Sequence, residues 1–436
     1  MMESKRKKTG DRVILHCDAN SFFASVELVF HPEYKDFPVA VTGNEAERHG
    51  IVLAKNPIAA RYGIKTAETV FSARKKCPQL ITLPPHYEEY ARFSRKLNEI
   101  YQRYTDQVEP FGIDESWLDV TGSRRLFGTG EEIAEDIRRT VKRELGITVS
   151  VGVSFNKVFA KLASDYRKPD AVTVIGREDV ERIVFPLPVA DLLFVGRQTA
   201  AFLEGHGIRT VGELARATPL YLTELLGKVG TQLSIYARGE DDSPVKPYYA
   251  EHTPKSVGNG RTFSHDLTTK EEVHAGLFLL ADEVGLELRK NARKCRTVAL
   301  TVKDDALRTL TRQRPVNPPS NLTRVLAASA MEIFSSEWRS GVPVRALTVT
   351  AMNLVREDEL TEQISFMGDE GGEILKKQEK IEETMDSLRQ KYGQSVLRYG
   401  TMPGKKIEKR TSQALFDAEK EKETKKNKKN NEKPLQ

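Results

Sequence analysis

Near its start the chain carries Val13-Ile14-Leu15-His16-Cys17-Asp18, an apolar run that ends on a carboxylate. Far downstream an adjacent acidic pair, Asp114-Glu115, stands inside a hairpin pattern. The run reads as a buried strand. The hairpin is signalled by Gln107-Val108-Glu109, a Pro110-Phe111-Gly112 turn and Trp117-Leu118-Asp119-Val120. If the two pieces are neighbouring strands, three acids meet at one place.

That convergence has a chemical use. Phosphoryl transfer asks little covalent chemistry of a protein; it asks for metal ions that bridge the attacking and leaving oxygens. Two such ions sit roughly 4 Å apart and share acidic ligands. Magnesium takes carboxylates together with substrate phosphates and water. Asp18, Asp114 and Glu115 are therefore the candidate ligands of two Mg2+ ions. Successive side chains of a regular strand face opposite ways. Asp114 and Glu115 serve one ion pair only where the strand is irregular, which Gly112 permits. Each acid alone has a plainer reading, as a helix cap for Asp18 and a solvated turn for the pair. Asp119 is read as structural.

The rest of the pattern is α+β. Asn20-Ser21 offers capping side chains to a helix carrying Phe22, Val26 and Val29. Residues 31–85 are punctuated by Pro and Gly and predict a small inserted lobe. Tyr90, Phe93, Leu97, Ile100 and Tyr104 recur at three and four, an amphipathic helix over 87–104. Ile133, Ile137, Val141 and Leu145 mark another, closed by Gly146. Val149, Val151 and Val153 alternate as a strand, and 157–166 is helical again. Residues 179–239 are mostly helical, and the polar, Pro-containing stretch 244–254 reads as a linker. Strands near 257–263, 297–302, 307–314 and 347–353, with helices near 270–290 and 321–338, then follow the β-α-β-β-α-β order of a ferredoxin-like unit. A further helix is expected over 373–392.

The 436 residues suffice for two to four domains. The net charge of +6 is concentrated late: residues 404–436 hold eleven Lys or Arg against six Asp or Glu. The last twenty residues have almost nothing to bury and are expected to be disordered. Cys17, Cys77 and Cys295 lie at no metal-ligand or disulfide spacing, which fits a reducing, cytoplasmic location. The most apolar stretch, 183–195, is broken by Pro186, Pro188 and Asp191, so no membrane span is expected. The basic start MMESKRKKTG is followed by no apolar stretch and is not read as a secretory signal. A monomer is expected.

Five segments, in order, resemble the motifs of Y-family DNA polymerases, nearest to the bacterial DNA polymerase IV group. ILHCDANSFFASVE at 14–27 resembles the first catalytic motif, IDESWLDVT at 113–121 the second, and VGVSFNKVFAKLASDYRKPD at 151–170 the third. VGRQTAAFLEGHGIRTVGELA at 195–215 is similar to the family's thumb, and KSVGNGRTFSHDL at 255–267 to the start of its little finger. The resemblance covers about residues 12 to 360. It implies a right-hand fold: palm at 11–29 and 87–178, fingers at 30–86, thumb at 179–243, a linker at 244–255 and a little finger at 256–360. It implies low-fidelity, template-directed DNA synthesis past damaged bases, with primer-template DNA and dNTPs as substrates. Residue by residue, it makes Asp18 and Asp114 metal ligands, Glu115 the active-site acid, and the Ala19 carbonyl part of a metal shell. Phe23 matches the steric gate that excludes a ribose 2′-hydroxyl, while Phe22 is read as core. The backbone N–H groups of Asn20, Ser21, Phe22 and Phe23 lie at a helix start suited to triphosphate oxygens. Lys168 matches a lysine that touches the triphosphate. The family's fingers tyrosine and arginine fall here on Pro57 and Ala60; Arg61 is the nearest substitute.

Leu203-Glu204-Gly205-His206-Gly207-Ile208 reads as a helix-hairpin-helix turn, with Gly205 and Gly207 letting backbone N–H groups reach a DNA phosphate. Arg308, Arg312 and Arg314 share one strand face by parity, and Lys255 and Arg261 extend the stripe. Gln363-Ile364-Ser365-Phe366-Met367 resembles the peptide by which bacterial polymerases dock on the sliding clamp, and Ser412-Gln413-Ala414-Leu415-Phe416 is a second candidate. Two other readings use part of this pattern. A palm-type nucleotidyl cyclase shares the sheet and two metals but needs no DNA grip, and a non-catalytic, clamp-recruited DNA-binding factor needs no acids.

Overall fold

A computed structural model describes residues 11–44, 50–250, 254–338, 341–359, 370–393, 396–397 and 399–400. Both candidate clamp peptides and the basic tail lie outside the described residues. The chain divides into two compact units that meet near residue 251 in sequence.

The first unit opens with β1 (Ile14–Ala19) and α1 (Phe22–Phe30). A small lobe follows, β2 (Val39–Thr42), β3 (Val52–Lys55), α2 (Pro57–Arg61), α3 (Val70–Lys76) and β4 (Ile81–Leu83), forming a three-stranded sheet in the order β3-β2-β4. Then come α4 (Tyr87–Tyr101), β5 (Val108–Pro110), β6 (Glu115–Asp119), α5 (Arg124–Phe127), α6 (Gly130–Leu145), β7 (Val149–Ser154), α7 (Lys157–Tyr166) and β8 (Val172–Val174). Their strands make a five-stranded sheet, β5-β6-β1-β7-β8, with β1 at its centre. All six residues of β1 are buried, as the apolar run requires.

Two helices show how sequence becomes packing here. In α6, Thr129 and Glu132 form a reciprocal capping box, and Gly146 at φ +70° closes the last turn. Ile133, Ile137 and Val141 then point into the core shared with Leu15, Leu97 and Leu118. Each such burial contributes about 1.5–3 kcal/mol. On the other side α7 approaches β7 so closely that a Cβ on Gly152 would stand 2.0 Å from the Ala160 carbonyl oxygen. Only glycine lets α7 lie there, and α7 carries half of the site. Four short helices complete this unit: α8 (Arg197–Gly205), α9 (Val211–Arg216), α10 (Pro219–Leu226) and α11 (Lys228–Ala237). The stretch expected as a linker is tied down in its first half. Val245 is buried beside Ile14, Trp117 and Ala160, and the Lys246 N–H donates to Glu109 Oε2 at 2.9 Å.

The second unit has β9 (Ser256–Leu267), α12 (Lys270–Lys290), β10 (Arg293–Asp304), β11 (Thr309–Ser320), α13 (Thr323–Glu337), β12 (Val344–Arg356) and α14 (Glu370–Tyr392). The β-α-β-β-α-β order is as expected; the sheet runs β11-β10-β12-β9 with every pair antiparallel. Val298, Leu300, Leu347 and Val349 face the helices and are fully or almost fully buried. The alternate residues, among them Gly258, Gly260, Thr301, Thr348 and Thr350, form the other face of the sheet. Among the described residues no helix is long and apolar enough to cross a membrane.

Candidate active site

The acids converge. β1 and β6 pair antiparallel with Asp18 directly opposite Glu115, so the two side chains share a face. Asp114 sits one residue before β6, and its carbonyl accepts the Ala19 N–H at 3.1 Å. The irregularity that the geometry demanded is present. Phe111 and Gly112 both direct their N–H groups at the Glu115 carbonyl, 2.9 and 3.4 Å away, which curls the hairpin tightly around Asp114. Asp114 is pushed up to about 6, first by burial and then by the charges of Asp18 and Glu115. Asp18 is also raised, again mainly by burial, against the pull of Lys168. Glu115 goes the other way. Burial raises it, but His16 and Lys161 more than offset that and bring it to about 2.

The cations come from one stripe of α7 and the residues just after it. Lys157, Lys161, Ser164 and Lys168 are spaced four, three and four apart. Lys157 Nζ lies 2.7 Å from Glu109, Lys161 Nζ 2.5 Å from Glu115, and Lys168 Nζ 2.7 Å from Asp18. The Ser164 hydroxyl donates to the Lys161 carbonyl and stands 2.8 Å from His16 Nδ1. His16 is fully buried with its pKa lowered by burial, and its Nε2 is 3.2 Å from Glu115 Oε2. That contact is a close approach without good hydrogen-bond alignment, since Nε2 has no aligned acceptor.

The sequence reading missed Lys161, Ser164 and His16. A polar stripe at helical spacing on a helix that must pack on the sheet was the available signal. Among the described residues, no three His, Cys, Asp or Glu side chains stand in ready-made metal-ligating geometry. Lysine ammonium groups hold two of the three acids instead. The donor set nevertheless suits a hard divalent cation: three carboxylates on or beside adjoining strands, one of them raised to about 6 by burial and then by the charges of the other two.

The remaining sequence-predicted residues divide. Phe23 is half-buried and stacks on Tyr90 at 4.1 Å and 12°, with Tyr87 edge-on at 6.1 Å, so its ring has a firm backing. Phe22 is core, 3% exposed. Asn20 and Ser21 do not cap α1: Ser21 has φ +50° and makes no side-chain cap. The Asn20 side chain instead ties β1 to Ser150 (2.8 Å), Thr148 (3.1 Å) and the Asp170 N–H (2.8 Å). The Asn20 N–H already goes to the Thr148 carbonyl at 2.9 Å, which leaves the amide cradle to Ser21, Phe22 and Phe23. Arg61 is exposed at the end of α2, and among the described residues no ion pair joins it to the three acids.

Several of the residues expected to contact DNA have partners within the protein. The Gly207 N–H is donated to the Glu204 carbonyl at 3.1 Å, so the turn consumes the donor assigned to DNA, although Gly207 does take φ +82°. Gly205 is the last residue of α8. An uncapped helix start lies at the other end of α8, where Gly196 is the N-cap and makes no side-chain bond. The arginine stripe is real in parity but lies on the helix side of its sheet. Arg312 and Arg314 register with Leu300 and Val298 and pair with Glu337 and Glu332 of α13. Arg308 precedes β11 and pairs with Asp304, and Arg261 is half-buried against Glu283 of α12. Period-two spacing identifies a shared face but not which face the helices cover. Lys255 is exposed just before β9.

Residues 17–165 match the impB/mucB/samB family, and residues 254–366 match the impB/mucB/samB family C-terminal domain. In fold the chain is similar to a Y-family DNA polymerase chimera, with a TM-score of 0.71 and 24% identity, covering 79% of this chain and 99% of that one. The chain belongs to the impB/mucB/samB family and has the Y-family polymerase fold. Within that family its relatives are more specific. It is 46% identical to DNA polymerase IV of Acetivibrio thermocellus, over 90% of this chain and 97% of the relative. It is 36% identical to DNA polymerase IV 1 of Bacillus subtilis, over 93% and 96%. It is a DNA-directed DNA polymerase of the DNA polymerase IV group, the translesion class.

Proposed function

We propose that Asp18, Asp114 and Glu115, with the Ala19 carbonyl, would hold two Mg2+ ions, and that beside these acids a primer 3′-hydroxyl attacks the α-phosphate of a paired dNTP and displaces pyrophosphate. The observation that carries this reading is the convergence of three carboxylates: Asp18 lies opposite Glu115, and Asp114, raised to about 6 by burial and then by the charges of the other two, stands beside them. Bound Mg2+ supplies charge neutralisation at the reacting phosphate. The chain's own residues do the rest. Lys161 and Lys168 balance the acids and, displaced from them, are placed to meet triphosphate charge. The amides of Ser21 to Phe23 receive phosphate oxygens at the start of α1. Phe23, backed by Tyr90 and Tyr87, fills the space beside the sugar and selects deoxynucleotides.

DNA is held without base readout. The amides at the start of α8, with Arg197, suit a backbone phosphate. In the second unit, the small Gly and Thr side chains of the face opposite the helices let a strand backbone approach DNA, with Lys255 beside it. The arginines paired to α12 and α13 are structural in this reading. Recruitment by a sliding clamp is assigned to Gln363–Met367, with 412–416 the competing segment. Deleting each in turn and measuring clamp stimulation separates them. The protein works as a cytoplasmic monomer.

Primer extension with Mg2+ tests the whole reading. Glu115→Ala should bind primer-template and fail to extend it; equal extension by both proteins removes Glu115 from the reaction. Phe23→Ala should admit ribonucleotides, and unchanged sugar selection removes Phe23 from that role.

A further inference from the structure

Phe194 holds a left-handed backbone conformation, φ +68°. It is the third residue of a turn closed by the Val195 N–H on the Leu192 carbonyl at 3.0 Å. Glycine normally takes such a position, because a Cβ there crowds the adjacent carbonyl. Burial does not compensate for the strain, since Phe194 is 60% exposed. Its neighbours point inward: Leu193 packs toward Ile14 and Trp117, and Val195 enters the core around α8 and α9. The turn therefore fixes two anchors and turns one ring outward. Strain kept at a residue whose ring stays mostly exposed is a mark of function.

Outside, the ring meets Phe111 edge-on at 6.5 Å and Tyr236 at 5.9 Å. Phe111 belongs to the hairpin turn that carries Glu115, and Lys161 links the two. Its Nζ is 2.5 Å from Glu115 Oε2 and 5.7 Å from the Phe111 ring centre. Ile113, 40% exposed, adds to the patch. An exposed apolar wall thus begins beside the Glu115 carboxylate and ends at the foot of α8.

We infer that Phe194, with Phe111, forms the platform on which the sugar of the primer's terminal nucleotide rests, setting the 3′-hydroxyl against the acids. The inference builds on the polymerase reading above. The deoxyribose of a paired nucleotide turns an apolar face outward from the base stack, and that face suits an aromatic wall. Its phosphate would then fall toward Arg197 and the first amides of α8. Phe194 is a substrate-positioning residue in this scheme.

The test compares full-length wild type with Phe194→Gly, Phe194→Asn and Phe194→Tyr. Primer-template Kd is measured by fluorescence anisotropy in Ca2+, alongside the thermal midpoint and single-turnover extension in Mg2+. Gly and Asn accept positive φ, so both should keep or raise the midpoint. Both should weaken primer-template binding roughly tenfold and slow extension, with the apparent KM for the incoming nucleotide unchanged. Phe194→Tyr should stay within about twofold of wild type. If Gly and Asn lower the midpoint but bind and extend like wild type, Phe194 is a packing residue and the inference fails. It also fails if Tyr loses as much affinity as Asn. A wild type that does not extend primers would instead overturn the polymerase reading itself.

Discussion

Beneath α14 in the second unit, Glu382 and Arg389 are each only 4% exposed, and each has its counter-charge. Arg289 meets Glu382 and Asp386, Arg389 meets Asp282, and Lys294 meets Glu379. The Thr323 N–H and hydroxyl complete Glu382. At the end of the central strand β1 in the first unit, Asp18 is buried, Asp114 and Glu115 are half-buried, and the pairing is incomplete. Asp18 and Glu115 each have a lysine, while Asp114 has no ion pair among the described residues and is raised to about 6. A saturated network fixes a helix in place. An acid cluster short of cations is kept for charge that arrives from outside.

That contrast can be broken in four ways. Glu115→Ala should cost about 10^3-fold or more in primer extension for a stability loss of only about 1 kcal/mol, the share of its pairing with Lys161. A large loss of stability with partial activity would make Glu115 structural. Glu382→Ala should do the reverse, removing about 3 kcal/mol from the urea unfolding of the second unit, because it takes the acceptor from the buried Thr323 N–H and leaves Arg289 with Asp386 alone. A loss below about 1 kcal/mol would mean that the network is ornamental.

Asp114→Asn should stabilise the metal-free protein by about 2 kcal/mol at pH 8. The sign follows from the raised pKa. The folded state binds this proton more tightly than the unfolded state, so stability falls as pH rises from about 4 to about 6. The gain from Asn is therefore full above about pH 6 and absent below pH 4. Lys161→Met should destabilise the metal-free protein by about 1 kcal/mol at neutral pH. Glu115 has a lowered pKa, so its contribution is present above about 4.5 and disappears as pH falls toward 2. Chemical denaturation in EDTA across pH 3–8 reads both.

The three acids and the elements that carry them were legible because an apolar run ending on Asp18, and an acidic pair after a Gly-containing turn, allow few arrangements. The helix over Lys270–Lys290 was equally clear, since its period runs for more than five turns. What the sequence hid were relations between elements. Parity placed Arg312 and Arg314 together but could not say that α13 covers that side. Capping chemistry suggested Asn20 as a helix cap, but tertiary bonds to Ser150 and Asp170 took its side chain. The glycines of 205–207 drew attention to one end of α8, whereas Phe194, a residue type that carries no turn signal, occupies the strained turn at the other end.

The shared-cation claim is tested most directly by counting bound Mn2+ by electron paramagnetic resonance in complexes with primer-template and a non-hydrolysable dNTP. Two ions per chain are predicted, with Asp18→Ala losing at least one of them and weakening the other. Equal Mn2+ stoichiometry and affinity in wild type and in the Asp18→Ala, Asp114→Ala double variant would contradict the account.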